Sequence, residues 1–377
     1  MSYFNYRLLP TGSRWERRAF AHDWWRILAG DKRWVPPYYP QLRWSLNPVQ
    51  NEHLACLKPE YVRIEALPQR QDANRDDADQ GGFVPGSLEI TVAVGLILRD
   101  ERRHDGNAYL SLPHVVNDEE SLERLLDYVA EMLAMTGCGR LIAPTGLSPH
   151  LGSGWLLNHW DLLPPAHTPY NPPYLPELID RFMQPLGKQR CLYYLSVPGS
   201  VPSLVDTPAE LVPLEPTRLA GELRPLLAAA CENEYGFAPP DNAEATFMLR
   251  WLGIAPFAGW LAQVDDRPVG FALVQSDLAP LLYRTRGGRG RLRRLWFTLA
   301  KGWRTHRGRL LLGAVLPEYR RQGIGRQLLQ QVLAAAGAHG WEQVTVGPLT
   351  QESPADLLLQ GFGAQPQQMY QLYEKIL

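Results

Sequence analysis

The residues best placed to do chemistry lie in one run, RLLLGAVLPEYRRQGIGRQLLQQVL, at positions 309–333. An apolar, strand-like stretch leads into a turn at Pro317, then a basic loop with two glycines, then a helix. In Arg320-Arg321-Gln322-Gly323-Ile324-Gly325 the glycines let backbone N–H groups crowd around an anion. A helix starting near Gly325 aims its unpaired amides and positive dipole end at the same point. Arg321 and Arg326 add positive charge there. Such a site suits a pyrophosphate, although an ordinary strand, loop and helix with surface arginines gives the same pattern. Two other phosphate loops are excluded: no glycine-rich loop ends in Gly-Lys-Ser or Gly-Lys-Thr, and no Gly-x-Gly-x-x-Gly opens a helix after a strand.

The elements that would position this loop follow from periodicity. Residues 89–98, 259–264, 269–274 and 309–315 read as strands, being β-branched and apolar runs between turn signals. Residues 120–135 and 325–340 read as helices by their i, i+3, i+4 spacing, and Asn117 with Glu120 makes a capping box for the first. Asp265–Asp266 joins two strands as a hairpin. The class is α+β, a mixed but mostly antiparallel sheet with helices inserted. A weak internal repeat accompanies it: Leu125 to Gly137 and Leu328 to Gly340 are both helical patterns ending in glycine, each followed by a short apolar strand, at 141–144 and 344–348. Duplication accounts for the repeat; so does coincidence, helix–glycine–strand being common.

Three segments read as connections: 69–82, charged and ending in paired glycines; 163–176, with six prolines, which excludes helix or central strand; and 197–209, rich in turn residues. The last places a domain boundary that divides the chain into 1–198 and 199–377. With 377 residues, 45% hydrophobic, 20% charged and 10% aromatic, the chain is folded rather than disordered, and a net charge of −1 excludes a molecule built as a whole to coat nucleic acid. The first twenty residues show no secretory signal and no stretch approaches the roughly 18 apolar residues of a membrane span. Cys56, Cys138, Cys191 and Cys231 fit no metal spacing and read as small buried hydrophobes, and His150, His159 and His167 lack i, i+4 spacing, so no metal is assigned. A cytoplasmic protein with reduced thiols is expected.

Val315-x-Pro317-x-Tyr319-Arg320-x-x-Gly323-Ile324-Gly325-x-x-Leu328 resembles the acetyl-CoA-binding signature of the GNAT acyltransferases. Asp266–Phe271 is similar to that family's hairpin, and Gly361-Phe362 followed by MYQLYEK to its closing strands. The resemblance covers about 209–377. The first half looks like a GNAT fold that has lost the loop, reading PHVVNDEESLERLL at 113–126, and the whole chain is similar to two-domain, GNAT-like bacterial proteins. Two tandem GNAT-like domains are implied, the first degenerate and the second binding acetyl-CoA or another acyl-CoA.

The resemblance implies direct attack of an amine, on a small molecule or a peptide, upon the thioester. The pyrophosphate would sit on the loop Arg320, Arg321, Gln322, Gly323, Ile324, Gly325 and Arg326, and a backbone N–H among Leu312, Gly313, Ala314 and Val315 would polarise the carbonyl. The tyrosine that protonates the departing thiolate in the family is Leu357 here; Tyr370 or Tyr373 would have to substitute. Glu234, in the segment lining the acceptor side, is the candidate base. Two alternatives stand beside this reading: a tRNA-dependent aminoacyl transferase, which also pairs two GNAT-like domains but does not need the intact loop, and a non-catalytic CoA-binding or interaction protein.

Between Leu282 and Leu310 lie ten Arg or Lys residues and no Asp or Glu. Leu292, Leu295, Trp296, Leu299 and Trp303 form an apolar stripe on a helix there, after a flexible charged loop. The helix packs through Trp296 and Trp303 with a solvated basic face, or that face (284–309) serves an anionic acceptor or the CoA 3′-phosphate, or a nucleic acid or membrane surface. PPYYP (36–40) and PYNPPY (169–174) either wall a ligand cleft or stiffen packing between domains.

Overall fold

The structure, a computed structural model, describes residues 4–11, 14–68, 90–102, 105–199, 206–214, 219–230, 238–302 and 305–377. The first half runs β1 (Phe4–Thr11), α1 (Arg14–Ile27), α2 (Tyr39–Ser45), α3 (Glu52–Cys56), β2 (Glu60–Pro68), β3 (Ile90–Leu98), β4 (Asn107–Val115), α4 (Glu119–Ala134), β5 (Arg140–Thr145), β6 (Trp155–Leu156), α5 (Tyr174–Ile179) and β7 (Gln184–Ser196). The second runs β8 (Glu210–Pro213), α6 (Leu219–Ala230), α7 (Asn242–Leu252), β9 (Phe257–Val264), β10 (Arg267–Ser276), α8 (Ala279–Thr285), α9 (Arg291–Ala300), β11 (Arg307–Val315), α10 (Ile324–Ala338), β12 (Gln343–Thr350), α11 (Pro354–Gly361) and β13 (Gln365–Ile376).

These strands form one sheet, ordered β1-β2-β3-β4-β5-β13-β7-β12-β11-β10-β9-β8, with β6 paired to β13. Only β4 with β5 and β11 with β12 are parallel among the described pairs. Parallel neighbours need a crossover, and α4 and α10 supply them. Each helix buries one apolar stripe: Leu122, Leu125, Leu126, Val129 and Leu133 on α4; Ile324, Leu328, Leu329, Val332, Leu333 and Ala336 on α10. Each large aliphatic side chain so buried contributes roughly 1.5–3 kcal/mol. Both helices stop at a left-handed glycine, Gly137 (φ 75°) and Gly340 (φ 73°). The two glycines of the sequence repeat thus do the same job in each half.

The closing strands are exchanged. β7, from the first half, pairs with β12 of the second, and β13, from the second, pairs with β5 of the first. One hydrophobic core spans both halves and a second lies under α4 and α5. A buried polar cluster also crosses between them: Glu244 of α7 accepts from Ser148 Oγ (2.8 Å) and Arg102 Nη2 (2.7 Å).

Several expectations need correction. The cap of α4 is Asp118, not Asn117: its carboxylate accepts from the Ser121 N–H at 2.8 Å. Of the three described cysteines only Cys191 is buried; Cys56 is exposed and Cys138 intermediate. The loop before α9 is packed rather than loose: a Cβ on Gly287 would meet Pro37 O at 2.3 Å, so this left-handed glycine (φ 67°) lets the loop touch the PPYYP segment. Helix α9 is also rotated from expectation. Phe297 and Ala300 face inward, Phe297 stacking on Tyr38 at 4.4 Å, while Leu292, Leu295, Trp296 and Leu299 are exposed. Segment 69–82, residues 200–205, and Cys231 and Trp303 lie outside the described residues. No described helix is long and apolar enough to cross a membrane.

Candidate functional site

The turn at Asp265–Asp266, both at positive φ, sends β9 back as β10. β10 in turn holds β11 along its whole length, from Ser276↔Gly308 to Gly270↔Val315. On its other edge β11 pairs with β12 only from Arg307 to Leu310. Beyond Leu310 the two parallel strands part, leaving the edge of β11 from Leu311 to Val315 open. The Leu316 N–H donates to Val269 O on β10 (2.8 Å). Because backbone groups alternate between the two edges, the amides of Gly313 and Val315 face the gap.

The loop follows directly. A single tight turn at Pro317–Tyr319 brings the chain round, and Arg320 Nε donates to Val315 O (3.1 Å). Gly323 (φ 85°) then starts α10 with no side-chain cap. Gln327 N–H is bonded to Gly323 O (2.9 Å), so the amides of Ile324, Gly325 and Arg326 have no partner within the helix. Arg320, Arg321 and Arg326 are exposed around them, and the Arg326 guanidinium lies 5.2 Å from the Phe362 ring centre. Glu318 faces solvent and meets Arg267 at 3.4 Å. The loop residues named from the sequence therefore converge at one gap and one helix end.

The same place in the first half is closed. Between β4 and α4 stands Asp118, whose carboxylate takes the amide of Ser121, and Glu119 and Glu120 fill the first turn. A second anion there would meet three carboxylates. Across the strand ends, Ser111 Oγ lies 2.5 Å from Thr145 Oγ1 and donates to Gly146 O (2.9 Å). The hydroxyls stitch β4 to β5 where β11 and β12 stand apart.

The proposed acid and base fare differently. Glu234 lies outside the described residues. Tyr370 and Tyr373 are on β13, three strands from β11 and so about 14 Å away at ~4.8 Å per strand. Tyr373 packs in the first half's core and donates to Asp180 (2.7 Å); Tyr370 is fully buried and donates to Gln368 (3.3 Å). Both are core tyrosines, because exchange of the closing strands carries β13 away from the loop. Leu357, where the family's tyrosine would stand, is 59% exposed.

Three residues escaped sequence reasoning. Tyr193 of β7 donates to buried Asp356 of α11, which also accepts from Glu352 N–H (2.6 Å). Burial opposes ionisation of Asp356, but these bonds hold its carboxyl below the usual range. The pair pins α11, whose Leu358 would lie 3.4 Å from a Cβ on Gly325; a strand of the first half thus anchors the helix behind the loop. Arg309 belongs to β11 rather than the basic helix, is 6% exposed, and donates from Nη2 to Gly347 O (3.0 Å), where β12 leaves β11. An arginine opening an apolar run was the available signal. Among the described residues no cluster of His, Cys, Asp or Glu has a metal-holding arrangement.

Residues 222–359 match the acetyltransferase (GNAT) family. The chain is similar to Protein YghO of Escherichia coli, 22% identical over 371 residues, covering 92% of this chain and 89% of that one. A tandem GNAT protein from the clavulanic acid biosynthesis pathway superposes with a TM-score of 0.57 at 13% identity, over 99% of this chain and 98% of that one. A conserved protein from Enterococcus faecalis gives a TM-score of 0.54 at 7% identity, over 99% and 72%. At these identities the structural likeness speaks for the fold. Residues 222–359 carry the GNAT acetyltransferase pattern, and the chain as a whole has a fold similar to that of a tandem GNAT protein.

Proposed function

We propose that the second half, 199–377, is an acyl-CoA-dependent N-acyltransferase using acetyl-CoA or a close relative, and that the first, 1–198, is a degenerate GNAT-like domain. The observation that carries this reading is the contrast between two equivalent helix ends. α10 begins with free amides, a left-handed glycine and arginines, whereas α4 begins with a capping aspartate and two glutamates. Only the former suits a pyrophosphate.

In the proposed reaction the pyrophosphate rests on the amides of Ile324, Gly325 and Arg326, with Arg320, Arg321 and Arg326 screening its charge and Gln322 and Gly323 shaping the turn. The thioester lies along the open edge at Leu312–Val315. A donor there, Gly313 or Val315 N–H, hydrogen-bonds the carbonyl oxygen as negative charge develops on it. The neutral amine nitrogen forms a bond to the carbonyl carbon, the C–S bond breaks, and the amine proton passes to a base, for which we propose Glu234. A thiol of pKa ~8.5 is a tolerable leaving group without an acid. The acceptor is an amine, on a small molecule or a peptide.

The exposed Leu357 at the acid's place favours a second reading, a CoA-binding protein without turnover. One experiment separates the two: calorimetric titration with acetyl-CoA, followed by release of free thiol in the presence of a panel of amines. Binding with amine-dependent thiol release supports the transferase, and binding without release supports the second reading. Absence of binding rejects both.

A further inference from the structure

Helix α9 presents an uncovered apolar face. Its other side is held firmly: Phe297 stacks on Tyr38, Ala300 is buried, and Lys301, just past the helix end, donates from Nζ to Ile254 O (3.4 Å). Leu292, Leu295, Trp296 and Leu299 nevertheless stand 84%, 57%, 40% and 65% exposed. Spaced at i, i+3, i+4 and i+7, they form one stripe along the helix. Single exposed leucines are ordinary, but a contiguous patch of large apolar side chains marks a contact surface.

The surroundings of the stripe are cationic. At 3.6 residues per turn, Arg291 and Arg293 lie about 90–110° to either side of it, and both are exposed. Beside Arg293 opens a cleft of about 700 Å³, between α1 with the turn after it and residues 283–293. Lys32, Arg284, Arg286, Arg289 and Arg293 line it. Its one carboxylate, Asp31, is already taken by Arg33 (3.0 Å) and by the Tyr170 hydroxyl. No Asp or Glu lies between Leu282 and Leu310, although the chain as a whole carries only −1. Positive charge is thus concentrated on the side of the molecule that also bares the leucines.

We infer that α9 and the cleft beside it dock the protein onto an anionic lipid bilayer. A helix with Leu and Trp on one face and arginines at its flanks lies in the bilayer interface, its apolar side chains among the acyl chains. The guanidiniums then meet lipid phosphates, which their planar fork suits. Trp296 fits the boundary between the two, having an apolar body and an N–H donor. The cleft, large against the roughly 10–15 Å³ that one water needs, has room for a phosphate headgroup. Other occupants satisfy half of this surface each. A nucleic acid would neutralise the arginines and leave Leu292 and Leu299 in water. A second copy would cover the leucines but set one cationic face against another. The inference does not rest on the acyl-CoA reading, which uses β11 and α10.

The test is flotation of the full-length protein, without acyl-CoA, on vesicles of phosphatidylcholine alone or mixed equally with phosphatidylglycerol. Each arginine near an anionic surface adds roughly five-fold in affinity, so the mixed vesicles are expected to bind at least about ten-fold tighter. Arg291→Gln with Arg293→Gln should weaken that binding about 25-fold. Leu295→Gln with Leu299→Gln leaves the charge unchanged and should weaken it by at least about ten-fold, through lost apolar burial. All four positions are exposed, so neither variant should prevent folding. In the wild type, lipids with brominated acyl chains are expected to quench Trp296, read as the quenching that Trp296→Phe removes. Absent binding, equal binding to both vesicles, binding that Leu295→Gln with Leu299→Gln leaves intact, or no quenching of Trp296 overturns the inference. So does a wild-type dimer that the leucine variant dissociates, or an RNA oligonucleotide that displaces the protein from the vesicles.

Discussion

Gly323→Ala tests the geometry of the anion site most sharply. Gly323 stands at φ 85° before the first turn of α10, where a Cβ costs about 1–2 kcal/mol. The chain can relieve that strain only by rotating towards negative φ, which swings the following amides out of common focus. Losing two of the three hydrogen bonds from Ile324, Gly325 and Arg326 to a charged acceptor, at about 1.5–3 kcal/mol each, weakens acetyl-CoA binding by about 3–6 kcal/mol, more than 100-fold in Kd. Gly325→Ala is the stability control. That residue is already helical, and its new Cβ would meet nothing nearer than Leu358 Cδ2 at 3.4 Å, so folding stability should rise by up to ~1 kcal/mol. The assay is calorimetry at fixed ionic strength beside urea unfolding. Gly323→Ala binding acetyl-CoA within three-fold of wild type, while losing the expected stability, would refute the focused-amide account.

Glu244→Ala should destabilise the fold by about 3–5 kcal/mol, because it strips a buried acceptor from Arg102 and Ser148; an unchanged urea midpoint would contradict this. Stability should fall on acidification. Burial holds His53, His114 and His167 below their ordinary values, the latter two at about 3. The unfolded chain, titrating near 6.5, therefore binds protons that the folded chain refuses. The stabilisation from His114 and His167 is full above about pH 6.5 and is lost towards 3, by up to ~1.4 kcal/mol per pH unit for each of these two. Urea midpoints at pH 7.5 and 5.0, with a flatter profile for His114→Phe, check it. Leu295→Lys with Leu299→Lys, both exposed on α9, should change stability by no more than about 0.5 kcal/mol per site. A loss of several kcal/mol would show that this face is packed.

The loop was legible because its information is local. The hairpin at Asp265–Asp266, the strand before Pro317, the two glycines and the periodicity of α10 sit in consecutive residues, and the structure assembles them in that order. Exchange of β7 and β13 was not legible, since pairing Tyr373 with Ala143 depends on the whole topology rather than on any pattern near either residue. That exchange is also why tyrosines close to the loop in sequence lie across the sheet from it. For α9 the periodicity correctly gave an amphipathic helix but not which face turns inward; Phe297 on Tyr38 decided that, through a contact some 260 residues long. The cap at Asp118 rather than Asn117 is a one-residue error, yet it marks the closed helix end on which the functional contrast depends.

The most direct test of the central claim is hydrogen exchange of the backbone amides with and without acetyl-CoA. Slower exchange at Gly313, Val315 and Ile324–Arg326, with none at 113–121, is the result this account predicts. Protection confined to the first half, or no protection beside β11 and α10, would contradict it.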